Sequence, residues 1–123
     1  MATFPQLPRL FPGEIIDGAR NYRLEEDLWH YDGVIKEGFW TDLSSIPRIF
    51  WSIPGLAHDG PSMGAAVIHD HDYRFSEGTR KEADQRFLRN MRYTGVGLIL
   101  RYTIYRAVRI AAGKTWRRNR ANR

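Results

Sequence analysis

Ala65-Ala66-Val67-Ile68-His69-Asp70-His71-Asp72-Tyr73-Arg74-Phe75, then Ser76-Glu77-Gly78, then Thr79-Arg80-Lys81-Glu82-Ala83-Asp84-Gln85-Arg86-Phe87: this stretch decides the architecture. Ala65, Ala66, Ile68 and His69, with Tyr73 one turn later, predict a helix from about Ser62 or Met63 to Phe75, which Glu77-Gly78 breaks. Thr79 and Glu82 form a capping box, each able to satisfy the other's backbone donor. They open a second helix that runs to about Tyr93 and stops at Gly95. So short a connection predicts an antiparallel helix hairpin, packed through Phe87 and Leu88. His69 and Tyr73 stand four apart and Asp70 and Tyr73 three apart, so the three side chains project toward adjoining parts of one surface. The hairpin brings Asp84 toward His69.

Beyond the hairpin, Leu100, Ile104, Ala107, Val108 and Ala111 recur at helical spacing between Val96 and Ala112, with Arg101, Tyr102, Tyr105, Arg106 and Arg109 on the other side. This predicts an amphipathic third helix, followed by a basic tail. Before the hairpin, Tyr22 to Tyr31 alternates in part, Asp32-Gly33 is a hairpin turn dipeptide, and Val34 to Trp40 reads as the returning strand. Thr41-Asp42-Leu43-Ser44-Ser45-Ile46-Pro47 is rich in capping residues, and Pro47 suits the first turn of a short helix reaching Trp51. Residues 1–20, with Pro5, Pro8 and Pro12, read as an extended, wrapping arm. The expected fold class is α+β: a small N-terminal antiparallel sheet followed by three helices. All of 1–123 forms a single domain, with the arm at 1–20, strands and a short helix at 21–60, a helical part at 61–113 and the basic tail at 114–123.

A chain of 123 residues buries one modest core and has no room for a second. With no cysteine, neither a disulfide framework nor a thiolate zinc site is available, which fits a cytosolic or virion protein. Met1-Ala2-Thr3-Phe4-Pro5 lacks the basic and apolar regions of a secretory signal. The longest apolar-leaning stretch, Gly95 to Leu100, is far shorter than the roughly 20 residues that span a bilayer, so no transmembrane segment is expected. All fourteen acidic residues lie at or before Asp84, whereas Arg86 to Arg123 holds ten arginines, one lysine and no acid. Such asymmetry points to a phosphate-bearing partner, nucleic acid or lipid headgroup, or to an acidic subunit; the alternative is that the basic part folds over the chain's own acidic part. Arg101, Arg106, Arg109, Lys114, Arg117 and Arg118 are the candidate contacts.

A carboxylate beside an imidazole fixes its tautomer and makes the other ring nitrogen a competent base, so Asp84 and His69 are the candidate dyad, with Tyr73 beside them. Asp70, a hard oxygen ligand, could hold calcium together with backbone carbonyls of the glycine-containing loop Pro54 to Gly64, and so polarise an ester or phosphoryl oxygen. Asp42 is the other candidate metal ligand, and the alternative for Asp42 and Ser45 is that they cap their own turn. A His-Asp pair between packed helices also serves as a purely structural network. His71 and Asp72 point away from His69 and are expected to be solvated.

Two resemblances rest on these residues. Gly38-Phe39-x-Thr41-Asp42-Leu43-x-Ser45-Ile46-Pro47-Arg48, with Ala65 to Asp70, Tyr73-Arg74 and Arg80-Lys81-Glu82-Ala83-Asp84, resembles the domain-of-unknown-function 1353 family. That family is largely encoded by bacteriophages and prophages, which implies a phage origin; synthesis in the host cytoplasm is expected, with other phage structural proteins of the virion or anionic lipid as the alternative partners. The pair His69-Asp70-x-x-Tyr73 and Ala83-Asp84-x-x-Phe87 is similar to the paired helices of secretory phospholipases, without their tyrosine-glycine calcium loop. This second likeness implies His69 as general base, Asp70 as calcium ligand, Tyr73 as support and Asp84 as partner of His69. Three functions follow as expectations: a metal-assisted hydrolase of host envelope lipid or ester, with the basic C-terminus on anionic lipid; a non-catalytic tail, neck or capsid accessory subunit; and a nucleic-acid binder using residues 101–123.

Overall fold

Polar alternation before residue 42 and a helical period after residue 62 divide the chain into a sheet part and a helical part. In the computed structural model, which describes residues 8–16, 18–47, 49–50, 62–76 and 78–121, the strands are β1 (Leu10–Ile16), β2 (Ala19–Leu24), β3 (Leu28–His30), β4 (Gly33–Ile35) and β5 (Trp40–Thr41). The helices are α1 (Met63–Phe75), α2 (Arg80–Tyr93), α3 (Leu98–Ala111) and α4 (Gly113–Ala121). The fold is α+β. One antiparallel sheet has the order β1-β2-β5, and β3 and β4 pair as a separate hairpin.

Local readings change in the sheet part. Residues 10–16 of the expected arm form an edge strand, whose register shifts between Pro12 and Ile15; at an edge, the amide that Pro12 lacks is not missed. The single strand expected from Tyr22 to Tyr31 breaks at Asp27, whose carboxylate accepts from the Glu37 amide (2.9 Å) and the Lys36 ammonium (3.2 Å) and turns the chain. The β3–β4 loop is Tyr31-Asp32, one residue before the expected dipeptide, with Gly33 at φ +143°. Only one turn of the short helix, with the Phe50 amide on the Pro47 carbonyl (3.1 Å), falls within the described residues; Trp51 and residues 54–61 of the next loop lie outside them.

The helix hairpin stands as read. Every residue from Ser62 to Asp70 is buried, so the first half of α1 can be apolar all round. The capping box of α2 is complete: the Glu82 amide donates to Thr79 Oγ1 (3.1 Å) and the Thr79 amide to Glu82 Oε1 (3.0 Å). Leu24, Leu28, Ile35 and Leu43 meet Val67 and Ile68 of α1, Phe87 and Met91 of α2, and Ile104 and Val108 of α3 in one core. The residues read as a basic tail are helical. Trp116 of α4 stands edge-on to the Tyr73 ring (5.2 Å between centroids), and the Arg120 guanidinium lies over Trp116 (3.8 Å). No helix among the described residues is long and apolar enough to cross a membrane.

Candidate active site

Five segments converge on His69. Helix α1 supplies His69, Asp70 and Tyr73, α2 supplies Arg80, Asp84 and Phe87, and α3 supplies Arg109. Thr41 comes from β5 and Ser45 from the turn after it. That turn is built on Leu43, whose φ of +59° is unusual for a residue with a side chain and costs on the order of 1 kcal/mol or more. Its conformation is held by the Leu43 amide on Thr41 Oγ1 (3.0 Å), the Ser44 amide on Asp42 Oδ1 (2.9 Å) and burial of the leucine side chain in the core. The turn delivers Ser45 to the face of α1.

Ser45 Oγ lies 2.9 Å from His69 Nδ1, and His69 Nε2 lies 2.7 Å from Asp84 Oδ1. The same carboxylate accepts from the Tyr73 hydroxyl (2.7 Å) and, on Oδ2, from Arg109 Nη1 (2.8 Å), with Arg80 Nη1 at 3.9 Å. An ionised carboxylate only accepts, so His69 Nε2 donates to Asp84, and in the neutral imidazole the Nδ1 lone pair faces the Ser45 hydroxyl. Ser45, His69 and Asp84 are each fully buried. The imidazole is stacked on Phe87 (4.4 Å between centroids) and leans on Tyr73 (4.4 Å). Arg80 also donates to the Val108 and Arg109 carbonyls (3.4 and 3.0 Å), which holds the end of α3 over the site.

Burial pushes the Asp84 carboxyl up, but the hydrogen bonds from His69, Tyr73 and Arg109 outweigh it and hold the group below its ordinary value of 3.8. Burial and the Asp84 bond both push the Tyr73 hydroxyl up, so it stays a donor. Because the folded state binds the Asp84 proton less tightly than the unfolded state, this carboxylate stabilises the fold above pH 3.8, and that contribution is lost as pH falls through the lowered folded value. The urea midpoint of the wild type is therefore expected to fall with acidification below about pH 4, and that of Asp84→Asn to fall less steeply.

Asp70 occupies a second, adjoining cluster. Its Oδ2 accepts from Thr41 Oγ1 (2.5 Å) and faces Arg74 Nη2 (3.5 Å), which also reaches Asp42 Oδ1 (3.7 Å). Its Oδ1 is buried with no hydrogen-bond partner, and burial pushes its pKa up against the pull of Arg74 and Thr41. Asp42 therefore joins Asp70 through Arg74. Between the two carboxylates the Arg74 guanidinium supplies positive charge. Among the described residues, no group of three or more His, Cys, Asp or Glu is arranged to hold a metal. The carbonyls expected from residues 54–61 lie outside the described residues.

Of the candidate phosphate contacts, Arg106, Lys114, Arg117 and Arg118 are exposed, whereas Arg101 is half-buried and donates to the Val96 carbonyl (3.2 Å). Arg109 is turned inward to Asp84. His71 and Asp72 are half-buried rather than solvated: His71 stands against Phe39 (5.1 Å) and Asp72 pairs with Arg86 (3.0 Å). The sequence reading missed Thr41, Arg80 and the part played by Ser45. For Thr41 and Ser45 the signal is the Thr41-x-x-x-Ser45 spacing in a run read for turn caps and for Asp42 as a metal ligand; for Arg80 it is the i,i+4 spacing to Asp84. A small apolar cavity of about 20 Å³ adjoins the site; its lining includes Ile46, the residue after Ser45, and Phe87, the ring stacked on His69.

A family model described as a protein of unknown function (DUF1353) matches residues 19–108. The uncharacterized protein y4jT of Sinorhizobium fredii is 36% identical over 62 residues, which are 50% of this chain and 18% of that protein. The matched part is thus under a fifth of the relative's length. No solved structure matches the chain significantly.

Proposed function

The chain belongs to the DUF1353 family of proteins of unknown function, and we propose that it is a serine-type hydrolase of carboxylic esters. The observation that carries this reading is the continuous relay Ser45 Oγ to His69 Nδ1 to Nε2 to Asp84 Oδ1, with spacings of 2.9 and 2.7 Å. Ser45, His69, Tyr73 and Asp84 also all lie in the sequence stretches on which the two resemblances rest.

In this mechanism Ser45 Oγ attacks the ester carbonyl carbon as its proton passes to His69 Nδ1. Asp84 balances the imidazolium, and Tyr73 and Arg109 hold Asp84 in place. Collapse of the tetrahedral adduct expels the alcohol, which takes the proton from Nδ1 and leaves an acyl-serine. A water, deprotonated by the same Nδ1, then attacks the acyl carbon, and the acid departs as Ser45 recovers its proton. Ser45 hands its proton to the general base that the phospholipase likeness implies, His69, and no step uses a metal. We place the enzyme in a phage or prophage, acting on esters of the host envelope; the family likeness supports that setting.

Hydrolysis of short p-nitrophenyl esters tests the reading. The wild type is expected to turn over, and His69→Ala to lose roughly a hundredfold or more in kcat/KM while remaining folded by circular dichroism. A folded wild type with no turnover overturns it. The complete burial of Ser45, His69 and Asp84 favours a second reading, in which the relay is a structural clamp inside a non-catalytic virion subunit. That reading requires the protein in purified particles, and mass spectrometry of virions checks it.

A further inference from the structure

The outward face of α3 is not the polar surface that a solvated helix shows. With Ile104 and Val108 buried, the opposite side of the helix presents Ile99 (83% exposed), Tyr102 (44%), Arg106 and Ile110 (86%), at spacings that keep them on one face. Two almost fully exposed isoleucines flank an arginine, and α4 follows after Ala112 with Lys114, Arg117 and Arg118 exposed. Folding back onto the acidic part of the chain accounts for three arginines from 86 onward, through Arg86 to Asp72, Arg89 to Asp32 and Arg109 to Asp84. Among the described residues, no carboxylate pairs with Arg106, Lys114, Arg117 or Arg118.

We propose that this outward face of α3 docks on an anionic lipid bilayer, the isoleucines and Tyr102 entering the headgroup boundary and Arg106 meeting lipid phosphate, with the exposed cations of α4 adding to the attraction. Charge alone would suit nucleic acid equally, but Ile99 and Ile110 have nothing to contact on a phosphate backbone, whereas an interfacial helix needs apolar side chains between its cations. This goes beyond ester hydrolysis and does not depend on it.

Sedimentation with vesicles of equimolar phosphatidylglycerol and phosphatidylcholine tests the proposal on the full chain. Wild type and Ser45→Ala are both expected to bind these vesicles and to leave vesicles of phosphatidylcholine alone, with binding weakened by added salt. Arg106→Gln is expected to weaken binding roughly fivefold, and Ile110→Asp at least about tenfold. Both residues are exposed, and circular dichroism checks that the variants keep the fold. Absence of binding at low salt, binding unchanged in Ile110→Asp, or tighter binding to duplex DNA than to the anionic vesicles overturns the proposal.

Discussion

Ser45→Ala is expected to lower kcat/KM for ester hydrolysis by at least about a thousandfold, because it removes the nucleophile while His69 and Asp84 stay in place. Its cost to stability is separable. The substitution leaves the buried Nδ1 acceptor of His69 without a donor, which costs about 1–3 kcal/mol and is read as a lowered urea midpoint at pH 7. A thousandfold loss in a variant that is still folded cannot come from that stability change. Steady-state kinetics and urea unfolding on one preparation give both numbers.

Asp84→Ala is expected to have the largest effect on stability, about 3–5 kcal/mol. One carboxylate answers His69 Nε2, the Tyr73 hydroxyl and Arg109, and all three donors lose their acceptor together inside the fold. Asp84→Asn retains an acceptor for His69 and Tyr73 but turns an amide donor toward Arg109, so it is expected to cost less. A double-mutant cycle with Arg109→Met isolates the pair and is expected to return a coupling of about 0.5–3 kcal/mol. Equal urea midpoints for wild type and Asp84→Ala would contradict the network as described.

The parts of this molecule that were legible in the sequence are those set by local rules. The period of α1 and the capping box of α2 fix both helices and their short connection, and these alone bring His69, Tyr73 and Asp84 together. What was not legible depends on distant partners. Helix α4 lacks acidic residues and an apolar stripe, and reads as a tail until Trp116 is seen against Tyr73, 43 positions away in sequence. Residues 10–16 read as an arm because prolines argue against a central strand, and they do form an edge. The turn that carries Ser45 to His69 contains Leu43 in a left-handed conformation, which nothing about a leucine announces. Arg109 lies on the polar side of α3, yet burial of Ile104 and Val108 rotates the helix so that this arginine flanks Asp84 rather than solvent.

The relay also sets a condition on catalysis: a substrate reaches Ser45 only if the packing over it opens, since the serine, the imidazole and the carboxylate are all sealed from solvent. A covalent probe reports attack and access together. Treatment of the folded protein with a fluorophosphonate, followed by mass spectrometry of its peptides, is expected to place one adduct on Ser45, formed in the wild type and absent in Ser45→Ala and His69→Ala. A folded wild type with no adduct, or one labelled at another residue while Ser45 stays unmodified, would contradict the assignment of Ser45, His69 and Asp84 as a catalytic relay.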